Sequence, residues 1–528
     1  MNVTESETPG SAVRGIRWWP ALLIILVAAA AIVWLRQQAE VPFQTRNLQT
    51  LSAGVGTLLL LVLWWVAFSR TRWKARLAGL ALVLLALGAL SATVRIRGVT
   101  GDLVPVVEWR WARRPVPSPE PVASPAPANR ARVPSGRPDF PQFLGPDRTA
   151  ILAGPALSPD WAAHPPQLLW RQPIGAAWSG FAIVGDRALT QEQQGDDERV
   201  TCYDLVTGRL VWSHSDAAHY ATTLAGEGPR CTPTAVSNRV YTLGAGGILN
   251  CLDLETGRRH WTHSLTTDAK TGAPGWGYSG SPLVMNGLVI VSAGGKPDKS
   301  LLAYAAEDGR LRWSAGDAPA GYSSPCLATL AGTPQILIFN SRRIAAHEPA
   351  TGKVLWEHPW GIGQPHVTVP VVVATNQVLF SSGYGVGAEL LEVKRSSDDR
   401  WQATPVWRSK RMKAKFATLV QRDGFLYGLD DGMLACLDLK DGSQRWKQGR
   451  YGHGQGLLVS NLYLLMSEQG DLVLLRPTPE GPNELHRFPV FTRKTWNPIA
   501  LSGDLVLVRN DREAACLRLS LAGRPGLP

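Results

Sequence analysis

A phrase that recurs along the chain constrains its fold more than any other feature. Cys202-Tyr-Asp-Leu-Val-Thr-Gly leads to Trp212, Cys251-Leu-Asp-Leu-Glu-Thr-Gly to Trp261, and Cys436-Leu-Asp-Leu-Lys-Asp-Gly to Trp446, with the same spacing each time. Weaker copies end at Trp313, through Asp308-Gly309, and at Trp356, through Thr351-Gly352. A unit repeated roughly every 40 to 50 residues must stack on its own copies, because one unit alone cannot bury its apolar face.

Within a unit the pattern is that of a four-stranded antiparallel blade. Arg239-Val-Tyr-Thr-Leu alternates, a Gly-rich turn follows, and Leu249-Asn-Cys-Leu-Asp forms the next strand. The Thr-Gly or Asp-Gly pair then turns the chain, since Gly takes positive φ and Asp or Thr bonds the turn backbone. The Trp opens the outermost strand, where a large ring fills the gap between neighbouring sheets. Trp212, Trp261, Trp313, Trp356, Trp407 and Trp446 mark six outer strands, and Leu485-His-Arg-Phe488 reads as a degenerate seventh. The last copy, Ala515-Cys-Leu-Arg-Leu519, stops before any Trp, and the missing strand is expected at the front, in Leu168-Leu-Trp170-Arg-Gln. The expected fold is therefore an all-β eight-bladed β-propeller over 139–525, closed by an N-terminal strand that removes an exposed edge.

Ahead of the propeller lie three apolar stretches, 18–35, 51–68 and 77–94. Each amounts to about 27 Å of helix, enough to cross a hydrocarbon core of about 30 Å. The first resembles a signal peptide, with Arg14 and Arg17 before it, but two further spans and Trp residues at their ends (Trp18, Trp19, Trp34, Trp64, Trp65) point to a retained three-helix membrane anchor. Arg70-Thr-Arg-Trp-Lys-Ala-Arg76 carries four positive charges and no acid, which places that loop and the tail 1–17 in the cytoplasm by the positive-inside rule. An odd number of spans then puts the propeller on the far side of the bacterial inner membrane, in the periplasm. Residues 95–138 read as a linker, with Pro117, Pro119, Pro121, Pro125 and Pro127 making an extended spacer.

The basic balance belongs to the anchor and linker. Residues 1–140 carry +9 of the formal +12, which leaves a nucleic-acid surface on the propeller without support and makes nucleic acid an unexpected partner. Of the six cysteines, Cys202, Cys251, Cys436 and Cys516 share one repeat position. Equivalent positions on different blades lie too far apart for a disulfide, so the cysteines are expected as small buried core residues. No spacing supports zinc or haem, and no metal ligand is assigned.

Function in a ring of blades belongs at the central funnel, where the innermost strands begin. The residues that lead into those strands include Trp178, Glu227, Arg230, Trp276, Tyr278, Tyr322, His366, Lys413, Lys415, Phe416, Tyr451, His453, Lys494, Trp496 and Asn497. Ten of these form the candidate binding set: Arg230, Trp276, Tyr278, His366, Lys413, Lys415, His453, Lys494, Trp496 and Asn497. Rings that alternate with cations could stack a planar acidic ligand, and could equally hold an acidic peptide or a sugar. The plainer alternative is that these are turn and packing residues beside a solvated rim. No catalytic residue is assigned.

The repeat resembles that of the quinoprotein dehydrogenase-like propellers, the superfamily of the pyrroloquinoline quinone (PQQ) alcohol dehydrogenases and of the assembly lipoprotein BamB. More closely, the chain resembles the PQQ-binding-like β-propeller repeat proteins. The phrases that carry the likeness are Asp139-Phe-Pro-Gln-Phe-Leu-Gly-Pro146, Tyr427-Gly-Leu-Asp-Asp-Gly432, Gly449-Arg-Tyr-Gly-His-Gly-Gln455, Lys494-Thr-Trp-Asn-Pro498 and Val508-Arg-Asn-Asp511. The resemblance implies PQQ with calcium as the cofactor of an enzymatic member, with an Asp base and, in many, an adjacent pair of cysteines. Here the funnel offers Glu227 and Asn497 but no evident Asp, Asp317 stands five residues before Tyr322, and there is no Cys-Cys pair. Two functions are therefore expected in order: a membrane-anchored binding or scaffold propeller for an envelope protein or polymer, and, as the alternative, a PQQ-dependent oxidoreductase of an alcohol or sugar that passes electrons to membrane quinone.

Overall fold

The computed structural model describes residues 16–38, 41–112, 136–361, 363 and 365–523, and the chain divides into two compact units, Met1–Arg113 and Arg114–Pro528. Most of the expected cytoplasmic tail and the proline run of the linker lie outside the described residues.

The second unit is an eight-bladed β-propeller. Seven blades are four-stranded antiparallel sheets, and the remaining one adds a fifth strand, Ile151–Leu152, parallel to its innermost strand Gln455–Val459. Six blades are continuous in sequence, and the five-stranded one is continuous apart from that added strand. The last, formed by Ala500–Ser502, Leu505–Arg509 and Glu513–Arg518, takes Gln167–Pro173 as its outermost strand, with Cys516 opposite Trp170. The degenerate seventh copy is a genuine outer strand, Glu484–Pro489.

The Cys-to-Trp spacing has a direct cause in the pairing. Cys202 lies opposite Trp212, Cys251 opposite Trp261 and Cys436 opposite Trp446, and a register shift follows each cysteine. Alanine takes the cysteine's place in two other copies, Ala303 opposite Trp313 and Ala346 opposite Trp356, whereas Leu390 stands opposite Trp407. A small partner leaves room for the indole to leave its own sheet. All six cysteines are free and buried, as expected of small core residues.

The indole then docks on the next blade. Trp170, Trp212, Trp261, Trp313 and Trp407 cover Gly208, Gly257, Gly309, Gly352 and Gly442, the turn glycines of the following copies. Each of these glycines has positive φ, and a Cβ on any of them would fall inside the ring. The ring nitrogen adds a bond to the same turn: Trp212 Nε1 donates to Leu254 O at 2.9 Å, Trp407 Nε1 to Leu439 O at 2.8 Å and Trp446 Nε1 to Thr478 O at 2.8 Å. Trp356 departs from this pattern and donates to Gln335 Oε1 at 2.7 Å.

The first unit holds three helices long and apolar enough to cross a membrane, Trp19–Gln37, Phe43–Phe68 and Trp73–Thr93. The second ends in a π-helical turn, Trp64–Phe68. The start of the stretch read from sequence as linker is in fact a two-stranded hairpin, Val94–Val99 paired with Pro105–Trp109. Its strands are too short and too interrupted by Gly98 and Pro105 to stand out beside the proline run that follows.

Replacing Trp212 with Ala should destabilise the propeller by about 3–5 kcal/mol, read by denaturant unfolding, through lost burial and an uncovered turn; a loss under about 1 kcal/mol would remove the docking role. Removing residues 168–172 leaves the last sheet with an unpaired edge. Faster limited proteolysis of the last blade is the expected result, and an unchanged digestion pattern would mean that other contacts hold the ring shut.

Candidate functional site

In four of the eight blades the loop that leads into the innermost strand is fixed by a polar side chain at the end of the second strand of the same blade. Gly175 N–H donates to Glu192 Oε2 at 2.6 Å, Gly321 N–H to Asn340 Oδ1 at 3.1 Å, Lys413 N–H to Asp430 Oδ1 at 3.0 Å and His453 N–H to Glu468 Oε2 at 3.1 Å. The funnel is therefore lined by two kinds of segment, the lead-in loops and these turns. The sequence reading used only the first.

Four of the ten candidate residues join in one chain of contacts across the last three blades and the first. Lys494 Nζ lies 3.8 Å from the ring centre of Trp496 and 4.7 Å from that of Trp178, a cation between two indoles. Trp496 meets Trp178 at 4.8 Å and Phe416 at 4.9 Å, and Phe416 meets His453 at 5.6 Å. Lys415 Nζ stands 3.4 Å from His453 Nε2 and 3.7 Å from Asp431 Oδ1. Glu468 binds the group together, accepting from Trp496 Nε1 at 2.9 Å.

Arg230 and Trp276 belong to a second cluster. The Arg230 guanidinium lies 4.7 Å over the Tyr220 ring and donates to the carbonyls of Ala225, Gly226 and Gly228. Burial pushes its pKa down to about 10. Trp276 stacks on Tyr322 with ring centres 5.1 Å apart, and its backbone N–H donates to the Tyr322 hydroxyl at 3.3 Å.

The remaining four have internal partners. Tyr278 is a core residue of its blade and donates to Ala293 O at 3.0 Å. His366 lies flat on Phe339, 4.3 Å between centres, with Nδ1 2.6 Å from Asn340 O, and burial lowers its pKa. Asn497 Nδ2 donates to Ala177 O and Ser179 O, joining the last blade to the first. Lys413 Nζ pairs with Asp430 Oδ1 at 2.8 Å while Lys447 Nζ takes Oδ2 at 3.0 Å. Burial works to raise the Asp430 pKa, and the two ammonium groups outweigh it, so the net shift is downward.

Asp430 and Glu468 escaped the sequence reading although they occupy one repeat position, at the end of the second strand, and so did Asp431 beside the first of them. The phrase Tyr427-Gly-Leu-Asp-Asp-Gly432 already contained two of them. Arg148 also escaped. It follows the Asp139–Pro146 phrase and, only 5% exposed, donates to Ser281 O, Pro282 O and Pro325 O, carbonyls from two different blades, and to Gln142 Oε1. Beside it a cavity of about 450 Å³ is lined by Phe143, Cys326, Val367, Phe416, Thr418 and Gln455 among others.

A planar tricarboxylate such as PQQ requires an open slot between rings and cations free to meet its carboxylates. Here Trp178, Trp496 and Phe416 are in mutual contact, Lys413 and Lys447 share Asp430, and Lys415 faces Asp431. The carboxylates that calcium would require hold cations or N–H donors of this chain. In this arrangement the residues do not fit the group.

The family model for the outer membrane protein assembly factor BamB matches residues 162–269 and 196–448, more than half of the chain. The chain belongs to this family. Among curated proteins no sequence matches. Among solved structures, the BamB-like propeller is similar to BamB from Moraxella catarrhalis, at 14% identity, over 69% of this chain and 99% of that one, with a TM-score of 0.48. It is similar to a europium-containing methanol dehydrogenase at 11% identity, over 72% and 98%, with a TM-score of 0.54. A quinohemoprotein alcohol dehydrogenase from Comamonas testosteroni matches at 14% identity, over 76% and 82%, with a TM-score of 0.54. At these identities the likeness to the dehydrogenases is one of fold alone.

Glu198, close to Arg230 in the second cluster, gives a test by pH. Its carboxylate is only 5% exposed and accepts from Ala245 N–H at 3.2 Å, and burial raises its pKa from 4.5 to about 7. The folded protein therefore binds this proton more tightly than the unfolded chain. The resulting stability is fully present below pH 4.5 and is lost as pH rises through about 7. Glu198→Gln should flatten that fall and leave the variant more stable than the parent at pH 8, by roughly 2 kcal/mol in urea unfolding. Parallel pH profiles would refute the assignment.

Proposed function

We propose that this protein is a membrane-anchored, periplasm-facing propeller that acts as a binding or scaffold module for a protein or polymer of the cell envelope. The observation that carries this reading is the state of the funnel: Lys413, Lys447 and Lys415 are paired with carboxylates of the chain, and the half-buried aromatic groups beside them, Trp276 on Tyr322 and Trp496 under Lys494, are of the kind that anchor protein interfaces. A site with internally paired charges is rigid before any partner arrives, so little ordering cost opposes binding. The helices Trp19–Gln37, Phe43–Phe68 and Trp73–Thr93 support anchoring, and the basic loop between the second and third supports a periplasmic propeller.

The second reading, a PQQ-dependent oxidoreductase, rests on the cations and rings of the Lys415–His453–Trp496–Lys494 chain, which would have to part to admit the quinone. Calorimetry on the full chain in lipid nanodiscs, titrated with PQQ and calcium, separates the two. No saturable heat at high micromolar ligand is the expected result. Tight binding abolished by Lys415→Ala or Lys494→Ala would make the oxidoreductase the leading reading. A photo-crosslinking side chain at Trp276 should capture a discrete envelope component in cells, and the same group at Thr207, on a blade turn, should not.

A further inference from the structure

The hairpin that follows the third helix segregates its side chains by face. One face carries Arg95 and Arg97 against Glu108, at 3.7 and 3.2 Å. The other exposes Ile96, paired across the strands with Val107, and continues through Trp109 to Trp111, whose rings stack at 5.3 Å with a 14° tilt. These four apolar residues are between 56% and 65% exposed. A two-stranded sheet is marginal in water, and one with an uncovered apolar face is more so.

Both ends of the hairpin are tied to the same end of the helix bundle. At its base no residue separates Thr93, the end of the third helix, from Val94, and Arg110 closes the join by donating from its backbone N–H to Thr93 O at 2.9 Å and from Nε to Ser91 O at 2.8 Å. At its tip, Asn47 Nδ2 in the first turns of the second helix donates to Asp102 O at 2.9 Å, and Arg36 at the end of the first helix donates to Asn47 Oδ1 at 2.8 Å. A hairpin fastened at base and tip to helix ends of one level runs along that level and does not project from it.

We propose that this hairpin is a membrane-interface element: it lies in the headgroup layer where the helices leave the bilayer, with Ile96, Val107, Trp109 and Trp111 turned toward the acyl chains. The occupant of the apolar face is lipid, because that face is continuous with the exposed apolar surface of Trp73–Thr93. Indole rings favour this depth, where an apolar body meets water at one edge. The outer edges of a two-stranded sheet carry unpaired backbone groups, which hydrocarbon does not tolerate and hydrated headgroups satisfy, so the hairpin is held at the interface and does not sink deeper. The inference rests on the reading of the three helices as membrane spans.

The six native cysteines are buried, so single introduced cysteines can be spin-labelled selectively. Full-length protein in nanodiscs of phosphatidylethanolamine and phosphatidylglycerol would carry a label at Val107, at Val55 on the second helix, or at Thr207 on a blade turn. Collisions with oxygen, which concentrates in lipid, are compared with those of a water-soluble nickel chelate. The oxygen-to-nickel ratio at Val107 should be several-fold above that at Thr207 and below that at Val55, and Trp109→Ser with Trp111→Ser should shift it toward the aqueous value. A water-like ratio at Val107 with a lipid-like one at Val55 overturns the hairpin proposal and leaves the spans intact. A water-like ratio at Val55 overturns the membrane reading itself. A Val107 label shielded from both probes indicates protein cover, and also overturns the proposal.

Discussion

The propeller depends on a side chain of one blade resting on the backbone of the next. An indole on the outermost strand covers the turn glycine of the following copy, and its nitrogen bonds that turn or a neighbouring acceptor. Three features of the repeat answer to this contact. A cysteine or alanine opposite most of the rings leaves them room, the glycine accepts the face of the ring at positive φ, and the bulge beside the pair aims the ring outward. Because these five indole–glycine contacts each run from one blade to the next, they favour a ring in place of an isolated sheet, as a repeat that cannot bury its core alone requires.

The same repetition organises the funnel. At the end of the second strand, Glu192, Asn340, Asp430 and Glu468 accept from the backbone that leads into their own innermost strand. A side chain that already satisfies a backbone donor has less of its acceptor capacity left for a ligand. Lys413 and Lys447 are drawn to Asp430, and Lys415 to Asp431, so much of the charge a sequence reader sees around the axis is spent on the scaffold. Trp276, Tyr322 and Trp496 stay partly exposed beside these pairs.

The N-terminal unit follows a different principle. No residue in the most apolar window of each helix is fully buried, a pattern suited to lipid as the solvent. Its polar contacts lie at the helix ends: Arg76 and Trp64 bond backbone carbonyls at one end, and Asn47, with Arg36 and the Asp102 carbonyl, fastens the hairpin at the other.

The sequence by itself determined the fold almost completely. Eight blades, the position of each outer strand, the strand borrowed from residues 167–173 and the three apolar helices all follow from periodicities of two and of one whole repeat, which are local and survive in one dimension. The helix limits moved by a few residues, and the second span begins well before the predicted 51 because Phe43–Thr50 is polar enough to hide its first turns. The site was legible only in part. Lys415, His453, Lys494 and Trp496 do meet, whereas Tyr278 turned into its blade and Lys413 to a carboxylate one hairpin away. Arg148, which reaches from a loop far away in the chain to two consecutive blades, carried no repeat signal at all. Which way a side chain points at a funnel, and whether its charge is already answered, depends on residues brought together by ring closure; a repeat pattern records the strands that close the ring and not the partners that closure selects.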